Sequence, residues 1–113
     1  MNILWMIWHW LVAVWRRVFG DDLYRALRID DAPEVLKDRT LYLVGDDSYL
    51  WSAVMRCPCG CGKRLEMNLV QTAKPVWKLT EGKRGEITLH PSIWLKKGCR
   101  AHFFLRGGKI QWV

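Results

Sequence analysis

Three cysteines crowd into five residues, Cys57-Pro58-Cys59-Gly60-Cys61, and the only other cysteine of the chain is Cys99. Residues so close in sequence cannot easily bridge one another as disulfides, because the bond needs its Cα atoms well apart and its Cβ vectors converging. The same spacing suits a metal. Glycine and proline between the sulfurs let the backbone curl until several thiolates face one point. Cys99 would then tie the last third of the chain to this knuckle. Cys57, Cys59, Cys61 and Cys99 are therefore expected to hold one zinc ion at tetrahedral corners. Four sulfur ligands leave no position for water, so the role is structural. A rival set replaces one cysteine with His102, for which Cys99-Arg100-Ala101-His102 has workable spacing. Free thiols gathered on a metal also fit a reducing cytosol.

The chain has 113 residues, enough for one domain that buries roughly two-thirds of its unfolded surface. Half of the residues are apolar and eight are tryptophan, which excludes a disordered chain. The net charge of +7 is unevenly spread, with +2 over residues 1–19, −3 over residues 20–56 and +8 over residues 57–113. Four thiolates on one zinc would bring the total nearer +5. A basic half can face nucleic acid, anionic lipid or an acidic protein, or simply be a solvated surface. The lysines are scattered, with no aromatic-basic stripe, which argues against a nucleic-acid reader.

Residues 3–15 (ILWMIWHWLVAVW) predict a helix. Asn2, His9 and Arg16 recur at spacing seven as a narrow polar stripe, and Trp5, Trp8, Val12, Trp15 and Phe19 cover the rest. Thirteen helical residues span only ~20 Å, short of the ~30 Å hydrocarbon core of a bilayer. No basic stretch precedes the apolar run, so it makes a poor signal peptide. Tryptophans followed by Arg16-Arg17 suit a helix lying at the inner membrane face. Docking on the protein's own sheet or on a partner is the open alternative.

Gly20-Asp21-Asp22 breaks this helix, and the remainder of the chain reads as strands. These are 24–29, 40–44, 49–55, 64–69, 76–79, 86–89, 102–105 and 110–113, bounded by turn residues such as Asp30-Asp31-Ala32-Pro33, Gly45-Asp46-Asp47 and Arg106-Gly107-Gly108-Lys109. The strands at 40–44 and 49–55 form a hairpin. The expected fold is mostly β: a small antiparallel β domain over residues 20–113 around a zinc knuckle, preceded by a hydrophobic helix over residues 1–19.

Few polar groups remain for chemistry. His90-Pro91-Ser92-Ile93 falls where a strand gives way to a turn, and His102 follows Cys99 in the next strand. If those segments pair, His102 could act as general base to Ser92 as a nucleophile. By composition alone, a serine beside proline is a turn residue and a lone histidine a hydrogen-bonded structural group. Asp46, Asp47 and Glu66 have the right type to orient the base, and nothing in the sequence places them.

The ordered set Arg39-Thr40-Leu41-Tyr42-Leu43-Val44-Gly45, Cys57-Pro58-Cys59-Gly60-Cys61-Gly62, Pro91-Ser92-Ile93, Cys99-Arg100-Ala101-His102-Phe103 and Gly108-Lys109-Ile110-Gln111-Trp112 resembles a family of short bacterial proteins. These are the small BubE-type components of bacterial ubiquitination-like (Bub) operons, and the resemblance covers about residues 20–113. It implies a serine-dependent, deubiquitinase-like peptidase acting on the C-terminus or conjugates of a bacterial ubiquitin-like protein, with E1-like and E2-like enzymes as further partners. The family's proline-serine-isoleucine falls on Pro91, Ser92 and Ile93, and its cysteine and histidine on Cys99 and His102. Where the family usually has serine before this histidine, the chain has Ala101. If that serine is the nucleophile, the chain is inactive; if Ser92 is, the chain can be active. The implied chemistry is acyl transfer, with N–H groups near Gly98 or Gly60 holding the oxyanion. The competing reading is a non-catalytic zinc adaptor that binds the modifier or its conjugating enzymes.

Overall fold

A strand buried on both faces reads as an unbroken apolar run, and Leu41-Tyr42-Leu43-Val44 is such a run. In the computed structural model, which describes residues 3–15 and 23–113, it forms the centre of β2 (Thr40–Gly45). Leu41 and Leu43 face the main core, while Tyr42 and Val44 pack with Leu36 and Val54 in a smaller cluster on the outer face. The segment between Ile29 and Thr40 covers that outer face, and its Lys37 N–H donates to the Tyr42 hydroxyl at 3.0 Å.

Two four-stranded sheets enclose the core. The first runs in the order β1 (Arg25–Ile29), β2, β3 (Leu50–Arg56), β4 (Arg64–Asn68). The second runs β5 (Lys78–Glu81), β6 (Ile87–Trp94), β7 (His102–Arg106), β8 (Lys109–Trp112). All pairs are antiparallel except β1 with β2, which run parallel in the register Arg25↔Thr40 to Ile29↔Val44. The antiparallel expectation is thus right for the domain and incomplete at this one pair. The Asp30-Asp31-Ala32-Pro33 segment begins a return crossover and not a hairpin turn.

Strict alternation puts one face of each sheet inside. On β4, Leu65 and Met67 are buried; on β7, Phe103 and Leu105; on β6, Ile87, Leu89 and Ile93. These side chains meet Leu41, Leu43, Ala53 and Met55 in a single core between the sheets. Each fully buried leucine, isoleucine, methionine or phenylalanine contributes about 1.5–3 kcal/mol relative to exposure. At the β2–β3 turn, Asp46 accepts from the N–H groups of Ser48 and Tyr49 and from the Ser48 hydroxyl, which holds its carboxyl below the usual range.

The expected helix is present as α1 (Ile3–Trp15). Its described side chains are exposed apart from half-buried Val12, so the sheets do not cover Trp5, Trp8 or Trp10. Among the described residues no helix is long and apolar enough to cross a membrane. The expected roles of Asn2, Arg16, Arg17 and Phe19, and the break at Gly20-Asp21-Asp22, lie outside the described residues.

Candidate active site and metal centre

The loop between β3 and β4 brings Cys57, Cys59 and Cys61 together, and the loop between β6 and β7 brings Cys99 to them. Gly60 and Gly62, at φ +90° and +82°, adopt the left-handed backbone that tightens the knuckle. The Gly60 N–H donates to the Cys57 carbonyl at 3.2 Å, and the Cys57 N–H to the Lys63 carbonyl at 2.8 Å. The Gly60 N–H expected to hold an oxyanion is therefore already engaged. Cys99 lies between Gly98 (φ +74°) and Arg100 (φ +54°), in a turn that projects it from the second sheet.

All four Sγ atoms lie within 4.8 Å of one another; Cys57 is 3.3 Å from Cys59 and 3.7 Å from Cys99. A tetrahedral ion with bonds of about 2.3 Å needs sulfur–sulfur edges of roughly 3.8 Å. The cluster fits, and these distances are far beyond a disulfide's. The Cys61 N–H donates to Cys59 Sγ at 3.4 Å, a bond that favours thiolate. Burial pushes the Cys57 thiol up, while the Lys63 N–H and Cys59 lower Cys61 to about 7. The four cysteines could hold a metal ion without a histidine, and His102 faces another partner.

That partner is Ser92. Its Oγ lies 3.0 Å from His102 Nε2. The β6 strand does not stop at Leu89 and give way to a turn over residues 90–93, as expected, but continues to Trp94 through a bulge. Leu89 pairs with Leu105 and Ile93 with Phe103, so His90, Pro91 and Ser92 together face Phe104 alone. Two extra residues keep Ile93 on the core face and carry Ser92 on the opposite face with Trp94. Trp94 is directly opposite His102, which places Ser92 diagonal to the imidazole. The Trp77 indole N–H donates to the Ser92 carbonyl at 3.4 Å and fixes the bulge from the β5 side.

Ala101 has the reverse orientation. With Phe103 and Leu105 it belongs to the buried core, while His102 lies on the other face of the strand. Asp46 is occupied by its own turn, next to Asp47, and Glu66 pairs with Arg64 at 3.1 Å. Among the described residues no carboxylate bonds to His102. In that place the Trp94 indole lies flat on the imidazole, with ring centroids 4.7 Å apart and planes 10° from parallel. Sequence reasoning missed Trp94 and Trp77. For Trp94 a signal existed, because it stands two residues after Ser92 and thus on the same face.

Chemically, a serine hydroxyl hydrogen-bonded to an imidazole nitrogen is an arrangement that can serve as a nucleophile with its base. Three grooves formed by the described residues are lined by neither Ser92 nor His102. One groove, of about 1410 Å³, lies between β1 and the β5–β6 turn, lined by residues such as Arg28, Arg39 and Arg84. Grooves are common beside exposed strand edges, and position relative to reactive groups is the better guide to chemistry.

No curated protein and no solved structure matches the chain. A family model does, over residues 28–113: that of the bacterial ubiquitination-like system serine protease (BubE). The match covers both sheets almost entirely, with all four cysteines, Ser92 and His102, and the chain belongs to the BubE family.

Proposed function

We propose that the chain is an active serine peptidase of a bacterial ubiquitination-like system, with Ser92 as nucleophile and His102 as base. The carrying observation is the 3.0 Å contact between Ser92 Oγ and His102 Nε2 across a bulged strand pair. The hydroxyl proton passes to Nε2 as Oγ attacks the carbonyl at the end of the ubiquitin-like modifier. The acyl–serine forms when the leaving amine takes that proton from His102; water, giving a proton to the same nitrogen, then attacks the ester, and Nε2 returns the proton to Oγ as the modifier leaves. The core-facing side chain of Ala101 supports Ser92 over position 101 as the origin of the nucleophile. Zinc is the ion that best suits four sulfurs, and its contribution is to fasten the loops beside the pair. The test is cleavage of a modifier–reporter fusion by the purified protein. Binding of the modifier without cleavage, surviving His102→Ala, would favour the adaptor reading.

In this reading Trp94 is a positioning residue. Its indole face holds the imidazole in line with Ser92 and stabilises the imidazolium as it forms. Trp94→Leu is expected to lower kcat by roughly 3- to 30-fold with KM little changed. Trp94→Phe, which retains a ring face, should recover most of the loss. Equal loss in both variants, with KM rising in step, would assign Trp94 to substrate contact instead.

Residues 1–19 provide a membrane-surface anchor on the same reading, since α1 leaves Trp5, Trp8 and Trp10 exposed. The protein should sediment with vesicles containing anionic lipid, and a chain starting at residue 23 should not. Equal sedimentation of both would remove the anchor.

A further inference from the structure

Beyond His90, the strand that carries Ser92 is paired on one side only. The ladder of β5 on β6 stops at Lys78↔His90, while β7 accompanies β6 as far as Trp94. In an antiparallel ladder, successive residues turn their main-chain groups toward opposite neighbours. The Leu95 N–H donates to the Ala101 carbonyl at 2.9 Å, so Leu95 directs its groups toward the β7 side. Trp94 must direct its N–H and C=O the other way, past the end of β5. There the Trp77 indole occupies the Ser92 carbonyl. Among the described residues nothing occupies the N–H or C=O of Trp94.

An open strand edge is a template for another extended chain. Here the template is short and lies two residues from a serine that already has its base. A chain added to it would lie beside the strand that carries Ser92, on the side away from His102. Its surroundings also select for charge. Residues 87–106 include Lys96, Lys97, Arg100 and Arg106 and no aspartate or glutamate. Lys78, opposite His90, adds a further positive charge. Such a setting favours a tail that carries carboxylates and retains a new one when it is cut.

We propose that the C-terminal tail of the ubiquitin-like substrate docks as an added β-strand on the open edge of β6, exchanging main-chain hydrogen bonds with Trp94. This rests on the reading of Ser92 as nucleophile, and it specifies how the acyl side of the substrate is held. Main-chain pairing supplies the affinity, and side chains of the tail alternate between the Ser92 face and the opposite one. A folded modifier body need contribute nothing at this edge, which is why a flexible, extended terminus is the part recognised.

The test uses the full chain with Ser92→Ala and a synthetic peptide of about ten residues copying the modifier's C-terminus. Amide hydrogen exchange, read by NMR, is compared with and without saturating peptide. The Trp94 amide should slow by roughly tenfold or more, while the Leu95 amide, already bonded within the sheet, should change less than about twofold. Peptides N-methylated at single positions should lose binding at the residue that pairs with Trp94 and not at its two immediate neighbours, whose N–H groups point away from β6. Saturation with no change at Trp94, or N-methylation that acts equally at neighbouring residues, overturns the proposal. So does failure of the variant to bind a tail whose fusion the unmodified protein cleaves. Cleavage with no Trp94 protection would remove strand docking and leave the peptidase reading intact. Protection with no cleavage by the unmodified protein would do the reverse.

Discussion

Ser92→Ala should lower kcat for cleavage of a modifier–reporter fusion by roughly 10⁴-fold or more, and His102→Ala by roughly 10³-fold or more. Combining them should cost little beyond the larger single effect, because a nucleophile and its base act as a unit. Neither variant should disturb the fold, since both side chains lie on the face away from the core and only half-buried. Position 101 provides the counter-test. Its side chain is 6 % exposed and packs with Phe103 and Leu105. Ala101→Ser would bury a hydroxyl there at a cost of about 1–3 kcal/mol, and it should not rescue Ser92→Ala. Activity that arises only with Ala101→Ser and survives loss of Ser92 would move the nucleophile to position 101. The strand would then have to turn residue 101 out of the core, against its present alternation.

What could be read from the residues, and what could not, divides along physical lines. The strands are legible because most are bounded by turn residues, and they show either period-two burial, as in β4 and β7, or an unbroken apolar run, as in β2. Pairing direction is not. Nothing local in Arg25–Ile29 distinguishes a parallel neighbour from an antiparallel one, so the β1–β2 pair departs from the antiparallel expectation. Pro91 reads as the end of a strand because proline removes a ladder donor. The bulge absorbs that loss, with three residues of β6 facing Phe104 alone, and the strand resumes to Trp94. The convergence of Ser92 on His102 depends on that bulge, so the sequence supports it only on the condition that two segments pair. The cysteine knuckle is legible because chain proximity alone brings Cys57, Cys59 and Cys61 together, whereas Cys99 joins them only through the packing of the two sheets. The stack of Trp94 on His102 depends on cross-strand register, which no single sequence specifies.

If the four sulfurs hold an ion, removing it should be the most damaging change to the fold. The knuckle belongs to the β3–β4 loop of one sheet, and Cys99 to the β6–β7 loop of the other. An ion bound to all four sulfurs therefore clasps the two sheets together, three residues before His102. Purified protein is expected to carry about one equivalent of zinc. Cys99→Ser, or stripping with a chelator, should cost roughly 5 kcal/mol. That is less than the full binding energy of a structural site, because the core between the sheets holds part of the fold without it. For a domain of this size the melting temperature would fall by roughly 20 °C. The loss should follow pH with a definite sign. Bound sulfurs are thiolates, so the metal holds their folded-state pKa values below those of the free thiols, and zinc should leave as the pH falls. Burial, which pushes the metal-free Cys57 thiol up, acts in the same direction by favouring the protonated cluster. If Cys99→Ser keeps its melting temperature but loses cleavage, the ion acts on the site and not on the fold. Protein with less than about a tenth of an equivalent of metal, all four thiols freely reactive and full stability would leave the clasp without a role. The sheets would then be held by Phe103, Leu43 and their neighbours alone.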